Sequence, residues 1–248
     1  MKLIIAGSTG YVGTELVRQA LAHPAFTSVL ALGRRETPIP PNLSSGVDQS
    51  KLKSVVVDDF ENYSDDAKKQ LAGADACIWT IALTPGKYRS VPPDQGAKIC
   101  RDYAAYGIET MSNLPRAEGS KPFRFVYFSG SGSERDPAKK PLIMGEYFVL
   151  RGDAENRILG YAQKNPGKVE ACIAKPGMIL SPEKHGVLIH AAIGLGSMVL
   201  GFGKIDVRVL VAGLLGQVVD GFEKDTLAPA DLERLGKERW EKTKAGGN

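Results

Sequence analysis

The chain has 248 residues, of which 43% are hydrophobic, enough to bury a sizeable core as one domain over residues 1–248. Its 32 basic and 28 acidic residues give a net charge of +4. Because both signs are spread along the chain, we expect no nucleic-acid partner and no disordered charged tail. The three cysteines lack metal-ligand or Cys-x-x-Cys spacing, which indicates reduced, mostly buried thiols and no metal site.

The first feature along the chain is a glycine turn between a short strand and a helix. The apolar run at residues 3–6 is too short for a secretory signal, which predicts an intracellular, cytoplasmic protein. Backbone can approach a pyrophosphate only where side chains are absent, and amides at a helix N-terminus then meet the phosphates. We therefore predict a dinucleotide site, with an ordinary turn as the alternative. The predicted binding residues here are Gly7, Ser8, Thr9, Gly10, Tyr11, Val12 and Gly13.

The ends of the next two predicted strands bear on the choice of nucleotide. The second strand, residues 29–32, is followed by Arg34 and Arg35, where dinucleotide folds usually carry an acid for the ribose hydroxyls. A guanidinium there grips a 2′-phosphate, which predicts NADP(H), although a solvated basic turn is the alternative. Asp58 and Asp59 follow the third strand, residues 54–57, and either is a candidate acceptor for the adenine amino group or an ordinary strand-ending carboxylate.

Strands and helices continue to alternate through the middle of the chain. We predict helices at 64–71, 94–108 and 145–164, and strands at 76–82, 123–128 and 169–173. The strand segments are apolar without polar alternation, which is typical of strands covered on both faces. The fold class is therefore α/β, a doubly wound parallel sheet of the Rossmann type. Trp79 and Tyr127 lie within apolar strands, where we expect them to serve the core.

From residue 181 onward the alternation breaks, and we interpret residues 181–243 as a small helical substrate lid or a set of closing helices. The apolar, glycine-laced part at 187–203 is shorter than the roughly 20 residues of a membrane span. Burial against the sheet, a cover for an apolar substrate, or a dimer contact are the favoured interpretations, and membrane contact is not favoured. His23, His185 and His190 show no acid–nucleophile arrangement.

The candidate catalytic residues follow the fifth predicted strand. That strand ends in Ser129, and the next helix carries Tyr147, Arg151 and Glu155 at four-residue spacings, which places all three on one helix face. At the carboxyl edge of a parallel sheet, Ser129 and Tyr147 would bind a carbonyl oxygen and deliver its proton. A basic neighbour would hold the phenol pKa below its usual value of about 10. Alternatively, Arg151 pairs with Glu155 as an ordinary surface pair.

Taken in order, these features resemble the atypical short-chain dehydrogenase/reductase superfamily, in particular its small single-domain members, over roughly residues 1–180. The resemblance rests on the glycine turn, the basic second-strand end, Asp58, Ser129, Tyr147 and the Lys-Pro-Gly run at 175–177. It implies that the nicotinamide side of the site is lined by Thr80, Ile81, Ala82 and Pro176. In that superfamily, a lysine four residues after the tyrosine binds the nicotinamide ribose and lowers the tyrosine pKa.

Here that lysine is replaced by Arg151, which keeps the charge but is never a proton carrier. We expect an NADP(H)-dependent reductase or dehydrogenase acting on a carbonyl or alcohol of a small apolar molecule. The missing lysine keeps two alternatives open: a redox-neutral isomerase, dehydratase or ring-opening enzyme, and a non-catalytic NADP(H) sensor that signals to a partner. A small-molecule substrate and a homodimer are the expected partners.

Overall fold

The computed structural model describes residues 1–180 and 203–245, with side chains described through residue 242. Nine strands lie in these ranges: β1 Lys2–Ala6, β2 Ser28–Gly33, β3 Leu52–Val56, β4 Ala76–Trp79, β5 Phe123–Phe128, β6 Val169–Ala174, β7 Met178–Leu180, β8 Lys204–Asp206 and β9 Thr226–Leu227. Seven of them form the central sheet in the order β3-β2-β1-β4-β5-β6-β9, and every neighbouring pair is parallel. This is the doubly wound order with one further strand added beside β6. Strands β7 and β8 form a separate parallel pair.

Helices connect the strands and cover both faces of the sheet, as the doubly wound prediction requires. The bounds are α1 Tyr11–Ala22, α2 Asp65–Leu71, α3 Pro85–Tyr88, α4 Pro93–Ala97, α5 Tyr103–Ser112, α6 Gly145–Lys164, α7 Val207–Asp220 and α8 Pro229–Ala245. A π-helical turn, Lys98–Asp102, joins α4 to α5.

The two faces of the sheet form two separate apolar cores. Alternate residues of β1 enter different cores: Ile4 packs with residues of α2, α5 and α6, whereas Leu3 packs with residues of α1, α7 and α8. Both side chains have no exposed surface. This burial on both sides explains why β4, and β1 from Leu3 to Ala6, are continuously apolar and do not alternate with polar residues. Trp79 and Tyr127 are fully buried in the first core, as expected.

Some element boundaries differ from those predicted. The helix predicted at 94–108 runs from 93 to 112 and contains the π-helical turn, and the strand predicted at 76–82 ends at Trp79. Strands β7 and β9 were not predicted, because runs of two or three residues carry too little periodicity to detect. The helix predicted at 145–164 is confirmed.

The last two helices belong to the core layer of the sheet. Leu210, Leu214 and Leu232, from α7 and α8, are at most 1% exposed and pack with α1 and the sheet. Of the region predicted as a lid or closing helices, 181–243, residues 181–202 lie outside the described part of the chain. His185, His190 and all of the apolar segment 187–203 except its last residue fall there.

Candidate functional site

The glycine turn after β1 is closely packed against its surroundings. Gly7 has a φ of +85°, a conformation that side chains disfavour, and a Cβ there would lie 2.5 Å from the Thr80 hydroxyl oxygen. A Cβ on Gly13 would lie 2.2 Å from the carbonyl oxygen of Gly7. A side chain at Gly13 would displace backbone, and one at Gly7 would be strained by the positive φ and would displace the Thr80 side chain. Both positions therefore require glycine.

The N-terminus of α1 is open to an anion. Its N-cap is Gly10, with no side-chain cap, and its first turn carries no acidic residue. The first amides of a helix have no partner within the helix and point outward with the positive end of its dipole. Thr9 and Gly10 are exposed there, whereas Val12 is buried. The Ser8 hydroxyl lies 2.6 Å from that of Thr37, so this buried side chain ties the turn to the loop after β2.

The two arginines after β2 remain accessible. Arg34 and Arg35 are exposed, and neither forms an ion pair with any residue in the described parts of the chain. Two candidate acids lie at the end of β3: Asp58 is exposed, and Asp59 is half-buried. The Asp59 carboxylate accepts a hydrogen bond from the backbone of Glu61 at 3.1 Å. All four residues follow strand ends at the same edge of the sheet as the glycine turn.

The segment after β4 lies between two halves of the candidate site. The nucleotide half comprises the glycine turn and the ends of β2 and β3, and the catalytic half comprises the end of β5 and α6. The Thr80 hydroxyl donates to the carbonyl of Ala6 at 2.7 Å. The Ile81 carbonyl accepts from the indole of Trp79 at 3.2 Å, and Ala82 is half-buried. Further along the edge, the carbonyl of Pro176 accepts from the backbone of Ser131 at 2.9 Å. The residues implied by the resemblance therefore lie along the carboxyl ends of β4 and β6.

Tyr147 lies at this edge with its phenol engaged. Its side chain is 8% exposed, its hydroxyl donates to the carbonyl of Leu83 at 2.9 Å, and its ring lies 5.2 Å from that of Tyr88. Burial raises the pKa of Tyr147 above its ordinary value, Arg151 opposes this, and Cys100 adds to the rise. The expectation of a phenol pKa below 10 was therefore wrong in sign, because desolvation outweighs the neighbouring cation.

Arg151 is buried beneath the phenol and does not lie at the surface. It is 3% exposed, its Nη2 donates to the carbonyl of Phe128 at 2.5 Å, and its guanidinium lies 4.8 Å from the centre of the Tyr127 ring. Its Nη1 is buried, and the Cys100 sulfur lies within hydrogen-bonding reach of the guanidinium. A surface pair with Glu155 is therefore excluded, since both side chains are buried.

The carboxylate of Glu155 is fully buried behind Ser129. The Ser129 hydroxyl donates to Glu155 Oε1 at 2.5 Å. The other carboxylate oxygen, Oε2, accepts from Arg135 Nε at 2.6 Å and from Lys175 Nζ at 3.1 Å. Sequence reasoning missed Arg135 and the ionic role of Lys175. The available signal was a glutamate on the buried face of a helix, where an acid must find partners.

A pocket of about 480 Å³ opens beside Tyr147. Its apolar surface includes the Tyr88 ring, Val91, Leu142 and Met144, and Arg89 also contributes to its lining. Leu142 is entirely exposed at the rim. Lys140 and Glu146 also line the pocket, so the cavity beside the buried phenol mixes apolar and charged groups.

Comparisons with known proteins agree with this architecture. No protein-family model matches the chain. The chain is 29% identical over 204 residues to Protein FMP52, mitochondrial, of Candida albicans, a match that covers 81% of this chain and 78% of that protein. Vestitone reductase from alfalfa has a TM-score of 0.64 at 17% identity, covering 92% of this chain and 76% of the reductase. MoeE5 in complex with UDP-glucuronic acid and NAD has a TM-score of 0.64 at 16% identity, covering 91% and 74%.

The chain shares the Rossmann-type fold of these solved structures. Within that fold its glycine turn, Tyr147 and Arg151 all lie along the carboxyl edge of the parallel sheet. No helix among the residues described is both long and apolar enough to cross a membrane. The described residues also contain no group of three or more side chains suited to hold a metal ion.

Proposed function

We propose that the chain is an NADP(H)-dependent reductase or dehydrogenase acting on a carbonyl or alcohol group of a small, largely apolar molecule. The observation that carries the proposal is the close-packed glycine turn that leads into the uncapped N-terminus of α1. Outward-pointing amides there favour a phosphate group. Tyr147 lies at the same carboxyl edge of the sheet, which suits a nucleotide whose reactive end reaches that phenol.

The residues of the nucleotide half fit such a cofactor. Bare main chain at Gly7 and Gly13 admits a pyrophosphate, and the open N-terminus of α1 favours its charge. The exposed Arg34 and Arg35 suit a 2′-phosphate, which is the basis for proposing NADP(H) over NAD(H). The structurally similar MoeE5 binds NAD in its complex, which supports a nicotinamide dinucleotide in the coarser sense.

When bound, a nicotinamide dinucleotide supplies or accepts a hydride. The chain's own residues would then bind and protonate the reacting oxygen. Tyr147 would hold the transferable proton at its phenol oxygen after leaving the Leu83 carbonyl, and Arg151 would counter the effect of burial on that phenol. Ser129 would contact the same oxygen. The pocket of about 480 Å³ beside Tyr147 would take the rest of the substrate.

The test begins with nucleotide binding. Titration of the protein with NADPH and with NADH, followed by fluorescence, is expected to show binding of both with tighter binding of NADPH. A panel of small apolar ketones and aldehydes is then expected to give NADPH oxidation that falls at least about a hundredfold in Tyr147→Phe. The matched control is Tyr106→Phe, at a ring that is 45% exposed. No binding of either nucleotide would overturn the proposal.

A second candidate is a protein that binds the nucleotide without hydride transfer, either a sensor of the NADP(H) pool or a redox-neutral isomerase, dehydratase or ring-opening enzyme. The favouring observation is that the Ser129 and Tyr147 hydroxyls both donate to protein acceptors. Arg151→Lys separates the candidates. Preserved or improved reduction supports the oxidoreductase, whereas indifference with intact NADPH binding supports the second candidate.

The cytoplasmic location and the homodimer are proposals from the sequence. The relative from Candida albicans is named as mitochondrial, so a mitochondrial location is the competing proposal. Fractionation of cells that express the tagged chain distinguishes the two compartments, and light scattering of the purified protein measures its oligomeric state.

A further inference from the structure

Two hydroxyl groups at the candidate site donate their protons to the protein. Tyr147 donates to the Leu83 carbonyl at 2.9 Å, and Ser129 donates to Glu155 Oε1 at 2.5 Å. A hydroxyl has a single proton and two lone pairs. In this arrangement both groups therefore offer lone pairs, and no proton, to a ligand that approaches along the sheet edge.

The hydrogen bond donated by Ser129 is the stronger of the two. Its oxygen also lies 3.0 Å from the Ser133 hydroxyl, so two acceptors compete for one proton. Hydrogen bonds from a hydroxyl to a carboxylate are shorter and about twice as strong as those between neutral groups. The proton therefore goes to Glu155 and not to the Ser133 hydroxyl.

Glu155 is held in the orientation that this requires. Its Oε2 accepts from Arg135 Nε and Lys175 Nζ, while its Oε1 faces only Ser129 among the described hydrogen bonds. Arg135 is in turn bonded to the hydroxyl of Thr226 at 2.9 Å, and Lys175 to the carbonyl of Ser133 at 2.8 Å. Two cations, one from the loop after β5 and one that follows β6, thus fix which carboxylate oxygen meets the serine.

We propose that Glu155 is a positioning residue that makes Ser129 a hydrogen-bond acceptor, so that the resting site selects a hydroxyl group of its ligand over the corresponding carbonyl. The proposal rests on the proposed function in one respect, the placement of Ser129 and Tyr147 against the reacting oxygen. According to this proposal, the site binds an alcohol more tightly than the carbonyl compound derived from it. It makes no statement about the direction of turnover.

The test compares ligand pairs that differ only in that group, on protein without nucleotide so that no turnover occurs. The probes are 1-phenylethanol with acetophenone, and cyclohexanol with cyclohexanone, with dissociation constants from ligand-observed NMR. In wild type, each alcohol is expected to bind about fivefold more tightly than its ketone, the value of roughly one hydrogen bond. Equal binding, tighter ketone binding, or binding of neither member of a pair would overturn the proposal.

The variant Glu155→Gln tests whether the carboxylate causes the preference for the alcohol. Arg135 and Lys175 would hold the amide oxygen, so the amide nitrogen would face Ser129 and donate to it. Ser129 would then be free to donate to a carbonyl, and the alcohol preference is expected to fall to about equality or reverse. A preference that stays at the wild-type value in Glu155→Gln would contradict the positioning role.

A second variant covers the case in which Glu155→Gln fails to fold. Ser129→Ala keeps the carboxylate with its cations and removes the acceptor, so it is expected to abolish the preference in the same way. Ser120→Ala, at an exposed serine before β5, and Glu170→Gln, at a partly exposed pair with Arg124, are the matched controls and are expected to keep the preference. Failure of NADPH binding or of reduction would refute the proposed function and leave this ratio unaffected, so the two failures are distinguishable.

Discussion

The two halves of the candidate site are built by opposite means. Around the turn between β1 and α1, the functional groups are main-chain amides, with Arg34 and Arg35 exposed beside them and outside any described ion pair. Around α6, the functional groups are side chains buried among other charged and polar groups, with Glu155 fully inaccessible. The first half depends on shape and on the absence of side chains. The second depends on the balance of buried charge.

This difference predicts how each half of the site responds to substitutions. A site made of backbone tolerates variation in most nearby side chains and fails only when a glycine is filled. A site made of buried ion pairs and hydrogen bonds fails when one partner is removed, because the others are left without compensation. Substitutions in the two halves should therefore differ in size and in what they disturb.

The largest expected effect is in the buried half. Glu155→Ala leaves Arg135 and Lys175 without their carboxylate, and loss of one partner of a buried pair costs about 3–5 kcal/mol. We expect about 3 kcal/mol, the low end, because the side chain of Arg135 is 33% exposed and can be hydrated. Urea denaturation measures the loss. Glu170→Gln removes a partner that is 45% exposed and should cost at most about 1 kcal/mol. A similar small loss in both variants would show that the buried pairs of Glu155 stabilise the protein no more than an exposed pair does.

The next effect is in the glycine turn. A Cβ at Gly13 would lie 2.2 Å from one backbone atom and 2.8 Å from another, so Gly13→Ala must displace main chain. We expect about 1–3 kcal/mol of destabilisation and loss of nucleotide binding in a fluorescence titration. Gly160→Ala is the matched control within α6, since nothing lies within 4 Å of its added Cβ. It should stabilise the protein by about 0.5–1 kcal/mol. Unchanged nucleotide affinity in Gly13→Ala would show that the turn is not a binding surface.

The same contrast explains how far the sequence alone leads. The strand, glycine turn and helix at residues 2–22 could be predicted, because glycine spacing and apolar periodicity are local signals. The parallel sheet followed from continuously apolar strands such as residues 76–79. The partners of Glu155 could not be predicted, since Arg135 and Lys175 come from two separate loops that only the folded sheet brings together.

The sign of the Tyr147 pKa shift was missed for a related reason. The four-residue spacing to Arg151 correctly places a cation near the phenol, and that cation does lower the pKa. The extent of burial is a tertiary property, and it outweighs the cation. The carbonyl of Leu83 and the ring of Tyr88, which cover the phenol, likewise come from a segment with no motif of its own.

A smaller effect tests the exposed part of the nucleotide half. Replacing Arg34 and Arg35 together by glutamine removes the cations proposed for a 2′-phosphate, and loss of one charge-assisted contact corresponds to about tenfold in affinity. NADPH binding is expected to weaken about tenfold with NADH binding unchanged, and stability should change by less than about 0.5 kcal/mol because both side chains are exposed. Lys121→Gln, exposed before β5, is the control for loss of a surface cation elsewhere. An equal loss of affinity for NADPH and NADH would show that the arginines contact the pyrophosphate or no specific group of the nucleotide.

The smallest effect distinguishes a buried phenol from an exposed one and carries a pH dependence. Tyr147→Phe loses the hydrogen bond to Leu83, which contributes about 1 kcal/mol near neutral pH. Below about pH 10 the phenol is neutral in both the folded and unfolded chain. Because burial raises the pKa of Tyr147 in the folded protein, this tyrosine ionises first in the unfolded chain as the pH rises through about 10. That ionisation favours unfolding of wild type, and the Phe variant has no such group at this position. The stability gap should therefore narrow between about pH 9 and pH 11 in urea titrations. Tyr106→Phe, at an exposed ring, should match wild type within about 0.5 kcal/mol at neutral pH. A gap that widens with pH would mean that Arg151, and not burial, governs the phenol.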